Sequence, residues 1–506
     1  MRRLWSFPGG IRLPGFKQLS NREAVRPLPL PERLFLPLRQ HIGAPARPLV
    51  AVGERVCKGQ LVAEATAFVS APVHASTSGV VTDIGEHRLP HPSGIAEPCI
   101  VIEADGEERW HPDLVPYSEP DNATPEQLLA TIRQAGIVGL GGAVFPSAAK
   151  LKPPHRIDTL IINGVECEPY ITCDDLLMRS RAEAVLRGCL LLQRILAADQ
   201  CILAVEDNKP EALAQLRLAR EKLIAADAAG AGQIELVAIP TVFPAGGEKQ
   251  LIKVLTGCEV PAGGLPYELG IVCLNVATTA AVHDAILLGR PLVSRLVTVT
   301  GSGIRHPGNY QVPLGTPIAA LLEAAGGADG EAELIMGGPM MGQRLPTPQA
   351  MVVKGTNCIL VNKPEPLPRQ MPCIRCGSCA DACPMQLLPQ QLYWHARGKT
   401  FDKLQRYHLD SCIECGCCNL VCPSHIPLVS YFRYAKTEIA DQEFKRQRAE
   451  ESRLRSELRQ ERLERMQREA EERKARRKAA RSKSKKPAPA ESSPTETALS
   501  QQVSHV

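Results

Sequence analysis

Over the first 120 residues apolar positions come in short runs broken by glycine, as in VAVGERVCKGQLVAEA and APVHASTSGVVTDIG. That punctuation predicts short strands folded into a small sandwich. The period then lengthens. TPEQLLATIRQA spaces its apolar residues as a helix does, TLIIN from Thr159 is a buried strand, and VFPAGGEKQLIKVLTG sets an amphipathic helix behind two glycines. From Val297, VTVTGSGIRHPGNYQVPLGTPIAALLEAAGG reads as strand, glycine turn, strand and helix. Beyond about residue 440, Leu454, Leu458, Leu463, Met466 and Ala470 leave only a thin apolar stripe among Arg, Lys, Glu and Gln, the pattern of a solvated helix. From Ser482 the Lys, Ser, Pro and Ala content predicts disorder. No run approaches the ~18 apolar residues that a membrane span requires.

A chain of 506 residues exceeds the size at which one core keeps growing, so several domains are expected. The net charge of +5 does not suggest a nucleic-acid binder, because much of the positive charge lies in the tail after residue 436. MRRLWSFPGG reaches Pro8 and two glycines before any signal-like apolar region forms, which predicts a protein that stays in the cytoplasm. There 18 cysteines argue for metal binding over a disulfide framework. Cys189 and Cys201, in apolar surroundings, read as small buried hydrophobes.

Eight cysteines repeat one spacing. Cys373, Cys376, Cys379 and Cys383 before Pro384, and Cys412, Cys415, Cys418 and Cys422 before Pro423, both read C-x2-C-x2-C-x3-C-P. This is the bacterial ferredoxin pattern, in which three thiolates grip one [4Fe-4S] cubane and the fourth cysteine, carried onto a short helix, ligates the other. Cys373, Cys376 and Cys379 should therefore pair with Cys422, and Cys412, Cys415 and Cys418 with Cys383. Cys417 falls off the spacing and is a spare thiol. Zinc also takes four thiolates, but zinc modules present two C-x2-C pairs, not two copies of this longer run. His395, His408 and His425 are left out as ligands. Two adjacent clusters carry single electrons, so something upstream must feed them.

Upstream, GIVGLGGAVFPSAAKL spans Gly136 to Leu151 and lacks both the Walker G-K-[ST] and a G-x-G-x-x-G fingerprint. Gly139, Gly141 and Gly142 permit close approach of backbone N–H groups to an anion, with a helix starting near Pro146, although a packing turn has the same composition. Asn163, Glu166, Glu168, Asp174 and Asp175 then gather where a buried strand gives way to a loop, the place where α/β sheets present ligand-binding groups. Gly246, Gly247, Glu248 and Lys249 head the next helix.

In this order, GxGGAxFP-x3-K, N-x2-E-x-EP, GGEK and two C-x2-C-x2-C-x3-CP runs resemble the C subunit of the Rnf (Rsx) ion-translocating oxidoreductase complex. The first half is also similar to the NADH-binding flavoprotein subunit of respiratory complex I. The resemblance implies a multidomain α/β protein. Residues 1–120 would form a β-rich barrel-sandwich scaffold, similar to biotinyl or lipoyl domains but without the Met-Lys-Met hairpin. Residues 121–295 would form a Rossmann-like FMN/NADH domain, 296–355 a β-grasp (SLBB) insert bridging flavin and clusters, 360–435 a tandem 4Fe-4S ferredoxin-type domain, and 436–506 a charged tail. It further implies that Gly139, Gly141, Gly142, Ala143, Phe145, Pro146, Lys150 and Asn163 contact FMN, and that Glu166, Glu168 and Glu248 serve recognition of NADH. Val144 stands where complex I has a glycine, which narrows the expected flavin pocket. The implied partners are the ferredoxin-like B subunit and the A, D, E and G membrane subunits. The implied location is the cytoplasmic side of the inner membrane, peripherally attached. For the tail, charge alone makes a solvated helix the default reading and contact of its basic end with anionic headgroups the alternative. An iron-sulfur wiring subunit of a soluble flavoprotein dehydrogenase, or a scaffold with structural metal, would share the cysteine runs.

Overall fold

The computed structural model describes residues 2–483 apart from 118–119, 227, 229, 329 and 367. It divides into a unit up to Ala435 and a second from Lys436. The disorder expected of the tail falls, from residue 484 on, outside the described residues.

The glycine-punctuated N-terminal runs form two small sheets. Strands Arg33–Pro37, Ala96–Ala104, Gly79–Arg88 and Arg55–Val56 pair antiparallel in that order, and Arg47–Pro48, Leu61–Glu64 and Val73–His74 make the second sheet. Leu36, Val56, Val62, Val73, Val81, Ile100 and Ile102 are all buried in the shared core.

The central domain is a parallel sheet in the order Ile234–Ile239, Gln200–Glu206, Thr159–Gly164, Ile271–Asn275. Its strands are apolar almost end to end because both faces are covered. Alternate residues divide between the faces: Leu160, Ile162, Leu203 and Val205 pack towards helices Pro125–Gln134, Ala182–Leu196, Pro210–Ala225 and Val276–Leu287. Ile161, Ile202 and Ala204 pack with Leu251, Ile252 and Leu255 of helix Glu248–Thr256. The first strand in sequence lies beside the last, so the order reverses between Thr159–Gly164 and Ile271–Asn275. At such a switch point the carboxyl ends of the strands leave a crevice.

The third domain is a six-stranded sheet with helix Ile318–Ala324 against it, its core built from Val297, Val299, Val312, Ile318, Leu321, Ile359 and Val361. Strands Ser294–Thr300 and Gly308–Pro313 form the expected hairpin. Its edge strand, Arg26–Pro27, comes from the chain's N-terminal segment and pairs parallel with Gly308–Pro313. Residues 2–28 thus stand apart from the N-terminal sheets and run as a strap across the other domains. Arg2 pairs with Glu235, Trp5 N–H donates to Val254 O, and Lys17 Nζ donates to the carbonyls of Glu166, Glu168 and Ile171. The irregular mix of apolar and basic residues in this segment does not forecast it, since most of these bonds are to backbone.

Short helices Ser378–Asp381, Pro389–Arg397, Phe401–Arg406 and Cys417–Leu420 carry the cysteine region, followed by helix Leu428–Lys483. In the second unit every residue of that helix from Phe444 to Ser482 is exposed. Ion pairs such as Lys445–Asp441 and Arg453–Glu457 lie one helical turn apart, as in a solvated helix.

One buried cation joins three domains. Lys354 is 1% exposed, and its Nζ donates to Pro72 O of the N-terminal domain at 2.8 Å and to Gly136 O at the head of the glycine loop at 2.7 Å. Burial lowers its ammonium from 10.5 to about 7, and burial beside it holds His74 neutral, down at about 3. Between about 7 and 10.5 the unfolded chain binds the proton that the folded chain has released, so this residue's contribution makes stability rise with pH across that window. A Lys354→Met chain should show a flatter rise of melting temperature over the same range than the wild type. Parallel curves would refute this assignment.

Candidate flavin and iron-sulfur sites

The two cysteine runs have the same backbone. Arg375 and Glu414 hold φ of 57° and 56°, Gly377 and Gly416 85° and 80°, and Gln386 and His425 52° and 51°, each at the same offset in its run. These left-handed turns curl each run so that its first three sulfurs face inward. The third cysteine lies on the short helix and the fourth just after it, before the proline.

Two sulfur-lined cavities result. Cys412, Cys415 and Cys418 share the first with Cys383, and Cys373, Cys376 and Cys379 share the second with Cys422. The remaining walls are mostly apolar, with Leu392 and Phe432 in the first and Tyr393 and Ile426 in the second. Four soft sulfurs around a largely apolar cavity suit an iron-sulfur cubane. Cys417, fully buried in the wall of the first cavity, stands beside Cys415, and that neighbour and burial push its thiol far up.

The cavities differ in setting. Cys415 and Cys417 pack with Ala382 and with Phe243 and Cys167 of the central domain, whereas Cys376 of the second cavity is exposed, near exposed Met371 and Ile374. The first is the inner cavity and the second the outer.

Above the switch point the glycine loop closes on itself: Gly139 N–H donates to Phe145 O at 2.8 Å and Val144 N–H to Gly139 O at 3.0 Å. Gly142, at φ 109°, has open space where a Cβ would project, so a flat ring can approach its backbone. A Cβ on Gly141 would lie 3.2 Å from Asn275 Cβ. Val144 adopts φ 44°, strained for a β-branched residue, and its Cγ1 lies 2.9 Å from where Gly355 would carry a Cβ. The side chain thus packs towards the Lys354–Gly355 segment. The helix after Pro146 is a single turn, Ser147–Lys150, and offers little dipole.

The crevice's helix end is instead Val276–Leu287, which the motifs of the sequence do not single out. Asn275 caps it, Oδ1 accepting from Ala277 N–H at 2.8 Å, and Thr278 Oγ1 accepts from Leu140 N–H at 2.9 Å. An asparagine at a strand end before a long helix is the available signal. Asn163 Oδ1 accepts from Val165 N–H and its Nδ2 donates to Gly246 O at 2.9 Å, tying the strand end to the GGEK loop, while Lys150 pairs with Glu248. The structure therefore joins Gly141 to Asn275, Lys150 to Glu248, and Asn163 to Gly246 at the carboxyl ends of the strands, with Gly139, Gly142, Ala143, Phe145 and Pro146 in the same loop as Gly141. These residues fit a flavin phosphate: backbone donors, a lysine and a capped twelve-residue helix.

Glu166 and Glu168 serve other contacts. Glu166 Oε1 accepts from Asp174 N–H at 2.8 Å, its Oε2 is buried without a hydrogen-bond partner, and burial holds the carboxyl well above the ordinary carboxylate range. Glu166, Cys173 and Asp174 lie close enough to share an ion, but Lys17, Lys209 and Arg295 all act on these groups and oppose a cation there. Glu168 Oε1 accepts from the N–H groups of Met340 and Met341 at 2.7 and 3.1 Å, clamping a loop of the third domain whose Met340 O lies 2.7 Å from where Gly416 would carry a Cβ.

Matches to known domains follow the same divisions. Residues 5–107 match the RnfC barrel sandwich hybrid domain, 132–284 the Nuo51 FMN-binding domain, 296–344 the SLBB domain and 372–426 the 4Fe-4S dicluster domain. The chain is 51% identical over 470 residues to the C subunit of the ion-translocating oxidoreductase complex of Pseudomonas aeruginosa, covering 92% of this chain and 59% of that protein. It is 47% identical to the C subunit of the same complex in Pasteurella multocida, covering 90% and 54%, and 45% identical to that of Haemophilus influenzae strain 86-028NP, covering 91% and 69%. The chain thus spans somewhat over half the length of the first two of these relatives. On identity, coverage and domain order together, the chain belongs to the family of C subunits of ion-translocating oxidoreductase complexes.

Proposed function

We propose that this chain is the electron-transfer subunit of a membrane-bound complex that couples electron flow between NAD(H) and ferredoxin-type carriers to ion movement across the inner membrane. The observation that carries this reading is the pair of crossed cysteine quartets, one of them packed against the domain that holds the flavin crevice. FMN held there would take a hydride from NADH and release its electrons singly, and two [4Fe-4S] clusters would relay them, chemistry that belongs to the cofactors.

The chain's own residues supply position. The glycine loop and the Asn275-capped helix form the phosphate end of the crevice, Asn163 fixes the loop at Gly246, and Lys150 and Glu248 close one side. Glu168 is engaged by Met340 and Met341, so Glu248, paired with Lys150 at the crevice, is the carboxylate placed to meet the nucleotide. Cys383, Cys412, Cys415 and Cys418 would hold the inner cluster, on the side that packs against the central domain. Cys373, Cys376, Cys379 and Cys422 hold the outer one, and its exposure suits exchange with a docked carrier such as the B subunit. No helix among the described residues is long and apolar enough to cross a membrane. Ion movement is accordingly assigned to membrane partners, A, D, E and G in the Rnf complex, with this chain attached peripherally on the cytoplasmic side.

Anaerobic NADH titration of the purified chain, followed by flavin absorbance and EPR together, tests the order. Flavin and clusters should both be reduced, and clusters reduced in a flavin-free sample would refute it. Ligand crossing has its own test. Cys383→Ala and Cys415→Ala should abolish the same EPR signal and about half the iron, and Cys422→Ala the other signal. If Cys383→Ala instead matched Cys376→Ala, the quartets would not cross.

A further inference from the structure

The N-terminal strap touches the inner quartet at one point. Gly10 N–H donates to Ala382 O at 3.1 Å, and the next residue, Ile11, exchanges both backbone bonds with Phe243, at 2.8 and 3.0 Å. Ile11 and Leu13 then pack with Phe243, Ala382, Cys415, Cys417, Cys167 and Met340, the apolar layer between the central domain and the inner cavity. Gly9 lies against the ligand segment itself. A Cβ there would sit 2.7 Å from both the carbonyl carbon and oxygen of Cys383, and φ is 61°. Only glycine allows the strap this close.

Both ends of this short stretch are anchored in the central domain. Before it, Leu4 and Phe7 pack with the buried face that includes Ile161 and Leu251, and Trp5 bonds to Val254. After it, Lys17 reaches the three carbonyls of the Glu166–Ile171 loop. A continuous series of backbone and side-chain bonds therefore runs from Asn163 in the crevice through Gly246 and the Phe243–Gly246 turn to Ile11, Gly10 and Ala382, beside a cluster ligand.

We infer that Gly9, Gly10 and Ile11 are positioning residues that fix the inner cluster against the flavin crevice, so that the strap governs electron passage between them and not the binding of either cofactor. The inference rests on the proposed function. Cys383 crosses from the first cysteine run into the cavity of the second, so its backbone belongs to a segment whose other three cysteines face the outer cavity. The strap bonds this segment to Phe243 through backbone groups, beside the packing of Ala382 on Phe243 and the bond from Gln250 Nε2 to Met385 Sδ at 3.0 Å.

The test uses the full chain reconstituted with FMN, iron and sulfide. Gly9→Ala forces the strap off Cys383. Gly53→Ala is its control, because Gly53 has φ 90° but open space at its Cβ, so it carries the conformational cost without the contact. Gly9→Ala should keep flavin and iron content and the rate of flavin reduction by NADH, shift the EPR line shape of the inner cluster alone, and slow cluster reduction about tenfold or more. Ile11→Ala, which keeps the backbone bonds and loses the packing, should slow it by a smaller factor. Cluster reduction at the Gly53→Ala rate in both variants would overturn the inference. Joint loss of flavin and iron in both would also overturn it, by making the strap a general folding element. Failure of the proposed function itself would be seen in the wild type, as a chain that holds iron but no flavin.

Discussion

The exchange of the fourth cysteine between the two runs is the constraint on which the C-terminal half depends. Cys383 closes the cavity of Cys412, Cys415 and Cys418, and Cys422 closes that of Cys373, Cys376 and Cys379, so neither run completes a site alone. The intervening helices Pro389–Arg397 and Phe401–Arg406 must therefore return the chain to its starting point. Leu392 and Phe432 wall the inner cavity and Tyr393 and Leu428 the outer, so adjacent residues of one helix serve both sites. Cluster binding therefore adds stability to this segment, because each cluster ties the two runs to each other.

Farther in, buried charge fastens the domains to each other. Lys354 bonds to carbonyls of two other domains, and Arg295, also buried, donates to Lys354 O and, at 3.0 Å, to Leu140 O in the glycine loop. Glu168 joins the central domain to the Gly337–Gly342 loop, and Lys17 joins the strap to the acidic loop after the first strand. In each case a long side chain from one domain meets backbone groups of another. A charged group meeting backbone dipoles avoids the second desolvated charge of an ion pair, but it fixes geometry only where those dipoles are rigid. The loops concerned are the ones that shape the crevice and the inner cavity.

These joints explain which parts can be read from the chain. The cysteine quartets are legible because their geometry is local: spacing sets which sulfurs can face one centre, and Gly377 and Gly416 mark the turns. The central strands are legible from unbroken apolar runs such as TLIIN, and the exposed helix from its thin stripe. Asn275 escapes notice because NVATTA looks like the start of any apolar helix, and only the strand order puts it at the switch point. Resemblance assigns Glu168 to the nucleotide, and its engagement by Met340 and Met341, more than 170 residues away, has no local signature. The strap is the least visible, since it acts through backbone bonds and through the absence of a side chain at Gly9.

The two cavities are alike in backbone and unlike in surroundings, which gives the pair a direction. Reduction potential in a cubane depends on burial and on hydrogen bonds to sulfur. The inner quartet has Cys415 and Cys418 buried, with a fifth thiol, Cys417, buried beside them, whereas the outer has Cys376 exposed beside Ile374, which is 68% exposed. A carrier covering Met371 and Ile374 would desolvate the outer site and leave the inner one as it was. Docking would then change one potential of the two, so the driving force between the clusters would depend on whether a partner is present. The two runs, alike in backbone, thus differ in burial: one end is held within the fold and the other lies open.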